Sequence, residues 1–252
     1  MIESVNLPLH WRAFRLPKRG CTLDECEDAW ATDPATGRFA VADGVTECAF
    51  AGLWSRLLVE GFVAATQRPD VWNWLDGPRR RWSSEVMGLE LPWYAEMKRK
   101  EGAYATMLGL NVRAPTSDRP GLWQSAAVGD SCVMRVRKGR YVRSFPVKSS
   151  SDFGNVPGLI GSWDNTPPTA AYTSGSLLPG DRLFLMTDAL AQWFLNAHER
   201  GGRPWEAIAS ALSAEQPEEA ITKWVEKLRD DDGLRDDDVA LLVIEVGSAL
   251  EE

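Results

Sequence analysis

The chain has 252 residues, 44% of them hydrophobic and 25% charged, with a formal net charge of -8. That is enough apolar material for a full core and argues against a nucleic-acid partner, which needs a basic patch. Only two histidines are present, His10 and His198, and the four cysteines Cys21, Cys26, Cys48 and Cys132 fall into no zinc or redox spacing, so a zinc enzyme or a Ser-His-Asp hydrolase is poorly supported.

In chain order, residues 1–20 are polar and turn-rich, with an edge strand around Trp11-Arg12-Ala13-Phe14. Met1-Ile2-Glu3 carries an acid and begins no apolar signal core, and no apolar run reaches the roughly 20 residues of a membrane span. A cytoplasmic protein with reduced thiols and no membrane partner is therefore expected. Residues 26–31 and 39–42 read as two strands joined by the turn Asp33-Pro34-Ala35-Thr36-Gly37, so the ends of this hairpin lie side by side. Phe50, Leu53, Trp54, Leu57, Leu58 and Gly61 then follow helical spacing, with Thr46 as N-cap. Residues 65–100 read as a helical insert. Its first segment, 69–88, is broken by Asp76-Gly77-Pro78, and its second covers 91–101 with Pro92 early. Arg79-Arg80-Arg81 and Lys98-Arg99-Lys100 read as solvated helix faces.

Strands dominate after Gly102: 105–112, 122–128, and a hairpin of 132–136 with 141–145 around Lys138-Gly139. Residues 146–176, rich in Pro, Gly, Ser and Asn, read as a long loop that forms a flap beside the site. A strand over 182–187, helices over 189–198, 204–213 and 217–229, and a final strand over 239–246 complete the order. No repeat or linker divides the chain, so 1–252 is one domain.

The stretch that organises the rest is Phe39-Ala40-Val41-Ala42-Asp43-Gly44, an apolar run that ends at an acid and a glycine. A buried strand delivering a carboxylate at its tip holds that acid on rigid backbone. Glu27-Asp28, Gly129-Asp130, Asp188 and the run Asp236-Asp237-Asp238 have the same look. Carboxylates, backbone carbonyls and water suit Mg²⁺ or Mn²⁺. Two such ions about 3.5–4 Å apart can share a carboxylate and hold a hydroxide that attacks phosphorus in line. That chemistry needs neither histidine nor thiol. Any one of these acids alone reads more readily as a cap or solvated group than as a metal ligand, Asp188 as a helix cap in particular; Asp33, Asp152, Asp164 and Asp181 read as turn residues.

Taken together and in order, Glu27-Asp28-Ala29, Ala42-Asp43-Gly44, Val128-Gly129-Asp130-Ser131, Thr187-Asp188-Ala189-Leu190 and Asp237-Asp238-Val239-Ala240-Leu241 resemble the metal-dependent Ser/Thr protein phosphatases of type 2C, in a divergent bacterial form. The resemblance implies an α+β fold, two packed antiparallel β-sheets flanked by helices. It implies that Asp43 bridges two Mn²⁺ or Mg²⁺ ions, with the Gly44 carbonyl as a further ligand. Glu27 would contact one ion directly or through water with Asp28 in support, Asp188 and Asp237 would complete the other, and Asp130 with Asp188 would hold a third, weaker ion. The implied activity is hydrolysis of phosphoserine and phosphothreonine in proteins by the metal-bound hydroxide, with Asp43, Asp188 and Asp237 central to catalysis. The substrate would be a phosphorylated protein such as a cognate kinase or its targets.

Four departures stand out. Leu23, Asp24 and Glu25 occupy the place of the family's phosphate-gripping arginine, the nearest basic residues being Lys18 and Arg19. Val45 replaces a histidine used by some members as general acid, Thr46-Glu47 replaces the usual Gly-Gly, and Ala189 replaces a glycine. These departures favour, as the alternative, a catalytically weak or inactive regulatory module on the same fold. A third reading, a hydrolase of small phosphorylated metabolites, shares the site.

Overall fold

The computed structural model describes residues 8–66, 68, 70–116, 119–154, 157–164 and 166–247, with the side chains of 94, 95 and 232 left aside. The expectation for Met1-Ile2-Glu3 lies outside these residues, as do Pro69 in the first insert segment and three positions of the 146–176 loop.

Eleven strands and six α-helices follow in order among the described residues: β1 (Leu9–Leu16), β2 (Ala29–Asp33), β3 (Arg38–Gly44), α1 (Ala51–Ala64), α2 (Asp76–Met87), α3 (Trp93–Glu101), β4 (Tyr104–Arg113), β5 (Gly121–Val128), β6 (Cys132–Arg137), β7 (Arg140–Phe145), β8 (Ile160–Gly161), β9 (Ala171–Leu177), β10 (Asp181–Met186), α4 (Asp188–Glu199), α5 (Pro204–Leu212), α6 (Pro217–Lys227) and β11 (Val239–Val246). One sheet runs β1-β11-β10-β6-β7. The other runs β2-β3-β4-β5-β9, with β8 also pairing β4. Every pairing is antiparallel.

The layers follow from the period-2 alternation of strand side chains. Phe39, Val41, Leu108, Leu110, Trp123, Leu183, Leu185, Leu242 and Ile244 fill the space between the sheets. The alternate positions of the same strands face outward. Ala40, Ala42, Met107 and Ala126 lie under Trp54, Leu57, Leu58 and Phe62 of α1. On the other sheet Met134, Phe184, Met186 and Leu241 lie under Phe194, Trp205, Ile208 and Ile221 of α4–α6. Each large side chain so buried contributes about 1.5–3 kcal/mol. The result is the four-layer arrangement, helices on both faces of two packed antiparallel sheets. The small outward residues of β3 let α1 lie close: a Cβ on Gly44 would sit 2.9 Å from the Ala51 carbonyl oxygen. Gly44 is thus required by a close approach of helix to strand and not by a turn.

Three expectations are corrected. Thr46 does not cap α1; the N-cap position is Phe50, in the left-handed region at φ 61, and the Thr46 hydroxyl donates to Glu27 instead. Asp76-Gly77-Pro78 starts α2 where a break was expected. A proline in the first turn forfeits no helical bond, because the first four N–H groups have no partner in the helix. The 146–176 stretch is not loop throughout: its last part forms β9, paired along β5 from Gly121↔Leu177 to Ala127↔Ala171. Its side chains are mostly exposed, as on an edge strand, so it carried no hydrophobic alternation to read.

Candidate metal centre

The acids gather at one end of the sandwich because the strands that carry them end there. Phe39 and Val41 point into the inter-sheet core, so by parity Asp43 continues that side at the tip of β3. Ala29 pairs with Ala42, which puts Asp28 beside Asp43. Asp43 pairs with Thr106 at the start of β4. The Thr106 hydroxyl bonds that of buried Ser131 at 2.9 Å, which ties β4 to the Asp130 turn. That turn needs Gly129, at φ +93 and against Thr106. Asp188 opens α4, where a negative charge suits the helix N-terminus.

Carboxylate oxygens of Asp43, Asp130 and Asp188 lie within 4.8 Å of one another. Asp28 is buried directly behind. It accepts from the Thr187 hydroxyl at 2.6 Å. Asp28 and Asp43 are both held well above the usual carboxylate range: burial disfavours their charge, and each feels other acids nearby. Asp130 is pushed up to about 6 by burial and by Asp188. Its Oδ1 is buried with no hydrogen-bond partner among the described residues. Asp237 is raised by burial and then by Asp188. Several crowded carboxylates and an orphaned buried oxygen make an all-oxygen donor set that fits a hard divalent cation.

Glu27 and Asp237 lie outside that close trio. Glu27 lies at the rim, paired with Lys18 at 3.1 Å and with the Thr46 hydroxyl at 2.6 Å. Asp237 stands beside Asp188 through Arg235, whose guanidinium pairs with Asp188 and lies 3.2 Å from Asp237. Gly44 stays in strand pairing, its N–H donating to the Glu27 carbonyl at 3.2 Å.

Sequence reading missed four contributors. Asp238 is buried and accepts the backbone N–H groups of Lys18 and Glu27, each at 2.7 Å, so it pins the Glu27 segment to the start of β11. Its only signal was its place in the aspartate run. Thr187 orients Asp28 and also takes the Ala240 N–H at 2.9 Å. Lys18 enters the site, whereas Arg19 turns away to Glu226 and Asp230. Arg235 carried no signal beyond lying next to acids.

This acid-lined sandwich has the fold of the metal-dependent Ser/Thr phosphatases. The Pseudomonas aeruginosa protein PppA, described as a key regulatory component of T6SS, superposes at a TM-score of 0.61 with 18% identity, over 97% of this chain and 100% of that one. The Mycobacterium tuberculosis serine/threonine phosphatase PstP/Ppp gives 0.59 and 18%, over 95% and 99%. A structure of the PstP catalytic domain in complex with two manganese ions gives 0.59 and 19%, over 95% and 99%. The family model described as Stage II sporulation protein E (SpoIIE) matches residues 95–247, and the chain belongs to that family. No curated protein matches its sequence significantly.

Proposed function

We propose that this protein is a Mn²⁺- or Mg²⁺-dependent phosphatase that hydrolyses phosphoserine and phosphothreonine in proteins. The observation that carries the reading is the convergence of half-buried Asp43, Asp130 and Asp188 within 4.8 Å of one another at one mouth of the sandwich, in a chain of this family and fold. Asp43 would bridge two ions, with the Gly44 carbonyl, Asp188 and Asp237 completing their shells. Glu27 would reach an ion directly or through water, and Asp130 with Asp188 would hold a third. Asp28 would keep Asp43 in place from behind, oriented in turn by Thr187. Two hard divalent ions bound there supply Lewis acidity toward the phosphoryl oxygens and a nucleophilic water. Lys18, at the rim, offers the positive charge that a phosphoryl group needs where the sequence lacks an arginine. Val45 has no proton to give, so the leaving alkoxide takes its proton from solvent. No helix among the described residues is long and apolar enough to cross a membrane. We place the protein in the cytoplasm, acting on a phosphoprotein such as a cognate kinase or its target.

The test is release of phosphate from a phosphothreonine peptide and from p-nitrophenyl phosphate, with and without MnCl₂. Mn²⁺-dependent release supports the reading. Metal binding by calorimetry without release supports the alternative, a regulatory module that has kept the fold. One observation favours that alternative: the guanidinium of Arg235 sits on two of the acids.

A further inference from the structure

We propose that Arg235 is an internal competitor for the cation, holding Asp188 and Asp237 until a divalent ion displaces it. The inference rests on the reading of those two acids as metal ligands. Among the described residues, the ion pairs of Asp188 and Asp237 both go to Arg235. A guanidinium presents a planar fork of donors, so one side chain can satisfy oxygens on both carboxylates. Those are the lone pairs that an ion needs, and they cannot serve both cations at once. The other basic residue of the site, Lys18, bonds Glu27 and Thr46 and, among the described residues, pairs with neither Asp188 nor Asp237.

The backbone around Arg235 is held by hydrogen bonds of its own, whereas among the described residues its side chain is held at Asp188 and Asp237 alone. Leu234 is buried, and its N–H donates to the Leu228 carbonyl at 3.1 Å across Gly233, which is left-handed at φ 72. Buried Arg229 donates to the Asp237 carbonyl at 2.6 Å, and the Asp237 N–H bonds the Arg235 carbonyl at 2.9 Å. The Asp236 carboxylate takes the Arg19 N–H at 3.1 Å. The Arg235 side chain, by contrast, is 44% exposed. It can rotate into solvent with no change in the chain path. Closed and open forms thus differ in one side chain, and the apparent metal affinity is the intrinsic affinity scaled by the open fraction. The pair is partly exposed, so the closed form is favoured modestly, and freeing the acids tightens metal binding about fivefold to tenfold.

The experiment is calorimetric titration of MnCl₂ into the full chain and its Arg235→Ala and Arg235→Lys variants, with melting temperatures recorded with and without metal. Arg235→Ala is expected to bind Mn²⁺ about fivefold to tenfold tighter, and Arg235→Lys to fall between, because a compact ammonium keeps the charge but not the fixed, widely spaced donors of a guanidinium. Metal-free Arg235→Ala should melt lower than wild type and gain more from Mn²⁺. Equal or weaker binding by Arg235→Ala overturns the inference. So does a tighter Arg235→Ala whose metal-free form melts no lower than wild type, since the ion pairs would then not hold the acids and lost repulsion alone would account for the effect. Absence of Mn²⁺ binding in wild type and both variants overturns the metal-site reading itself, a result distinct from the other two.

Discussion

Two clusters of buried carboxylate in this molecule resolve the same electrostatic problem in opposite ways. Asp181 is fully buried at the start of β10, where it faces Arg137 at 2.6 Å and Arg135 at 3.1 Å and also accepts the Leu178 N–H at 2.8 Å. Its charge is answered on every side by the fold. Asp28, which is buried, and Asp43 and Asp130, which are half-buried, have other acids as neighbours, and among the described residues Thr187 supplies the one side-chain donor to Asp28. Breaking the first cluster leaves arginines stranded; breaking the second relieves repulsion. A buried acid whose counter-charge is built into the chain is structural. One whose counter-charge is missing is waiting for a ligand.

The comparison can be broken at several points. Asp181→Ala should cost about 3–5 kcal/mol in denaturant unfolding, because it strands a buried guanidinium, and leave Mn²⁺ affinity unchanged. Should it prove neutral, the first cluster is not held as described. Asp43→Asn should do the reverse: at least about a hundredfold loss of Mn²⁺ affinity and no peptide turnover, with a metal-free protein no less stable than wild type. An active Asp43→Asn protein would remove Asp43 from the bridging role. Thr187→Val, which takes away the hydroxyl behind Asp28, should weaken Mn²⁺ binding about tenfold by calorimetry, the usual effect of losing an orienting hydrogen bond. Lys18→Ala should raise KM for a phosphothreonine peptide severalfold with Mn²⁺ affinity little altered, and a change in kcat alone would argue against contact with the phosphoryl group.

The smallest effect is on pH. Asp130 stands at about 6 against an ordinary 3.8, raised by burial and by Asp188. A raised carboxyl contributes stability that is present below the unfolded value and lost as pH rises through the folded one. From this group, the metal-free protein should therefore lose melting temperature between about pH 4 and pH 6.5, and Asp130→Asn should flatten that slope. Mn²⁺ binding should weaken in the opposite direction, as pH falls through about 6 and protons take the ligand oxygens.

Much of the fold was legible. The helical faces of α1, α5 and α6 and the alternation of the strands follow from local periodicity, because each buries one face against a sheet. The edge strand β9 was not legible, since Ala171–Leu177 buries almost nothing, and the start of α2 was mistaken for a break because proline and glycine suit both. The acids of the site were legible as strand-end punctuation, and their order along the chain carried the family resemblance. Their partners were not. Arg19 and Lys18 are adjacent in sequence, yet one reaches Glu226 and the other Glu27.

The sequence by itself determined most of the elements and the strand ends at which the acids collect, because strand parity and hydrophobic period are local properties. Only the tertiary structure decided which charges meet. Arg235 on Asp188, Asp238 on the Lys18 and Glu27 amides, and Arg135 and Arg137 on Asp181 are contacts between separate elements. Such pairings depend on angstrom-scale distances set by how the two sheets pack, and no spacing along a single strand or helix encodes them.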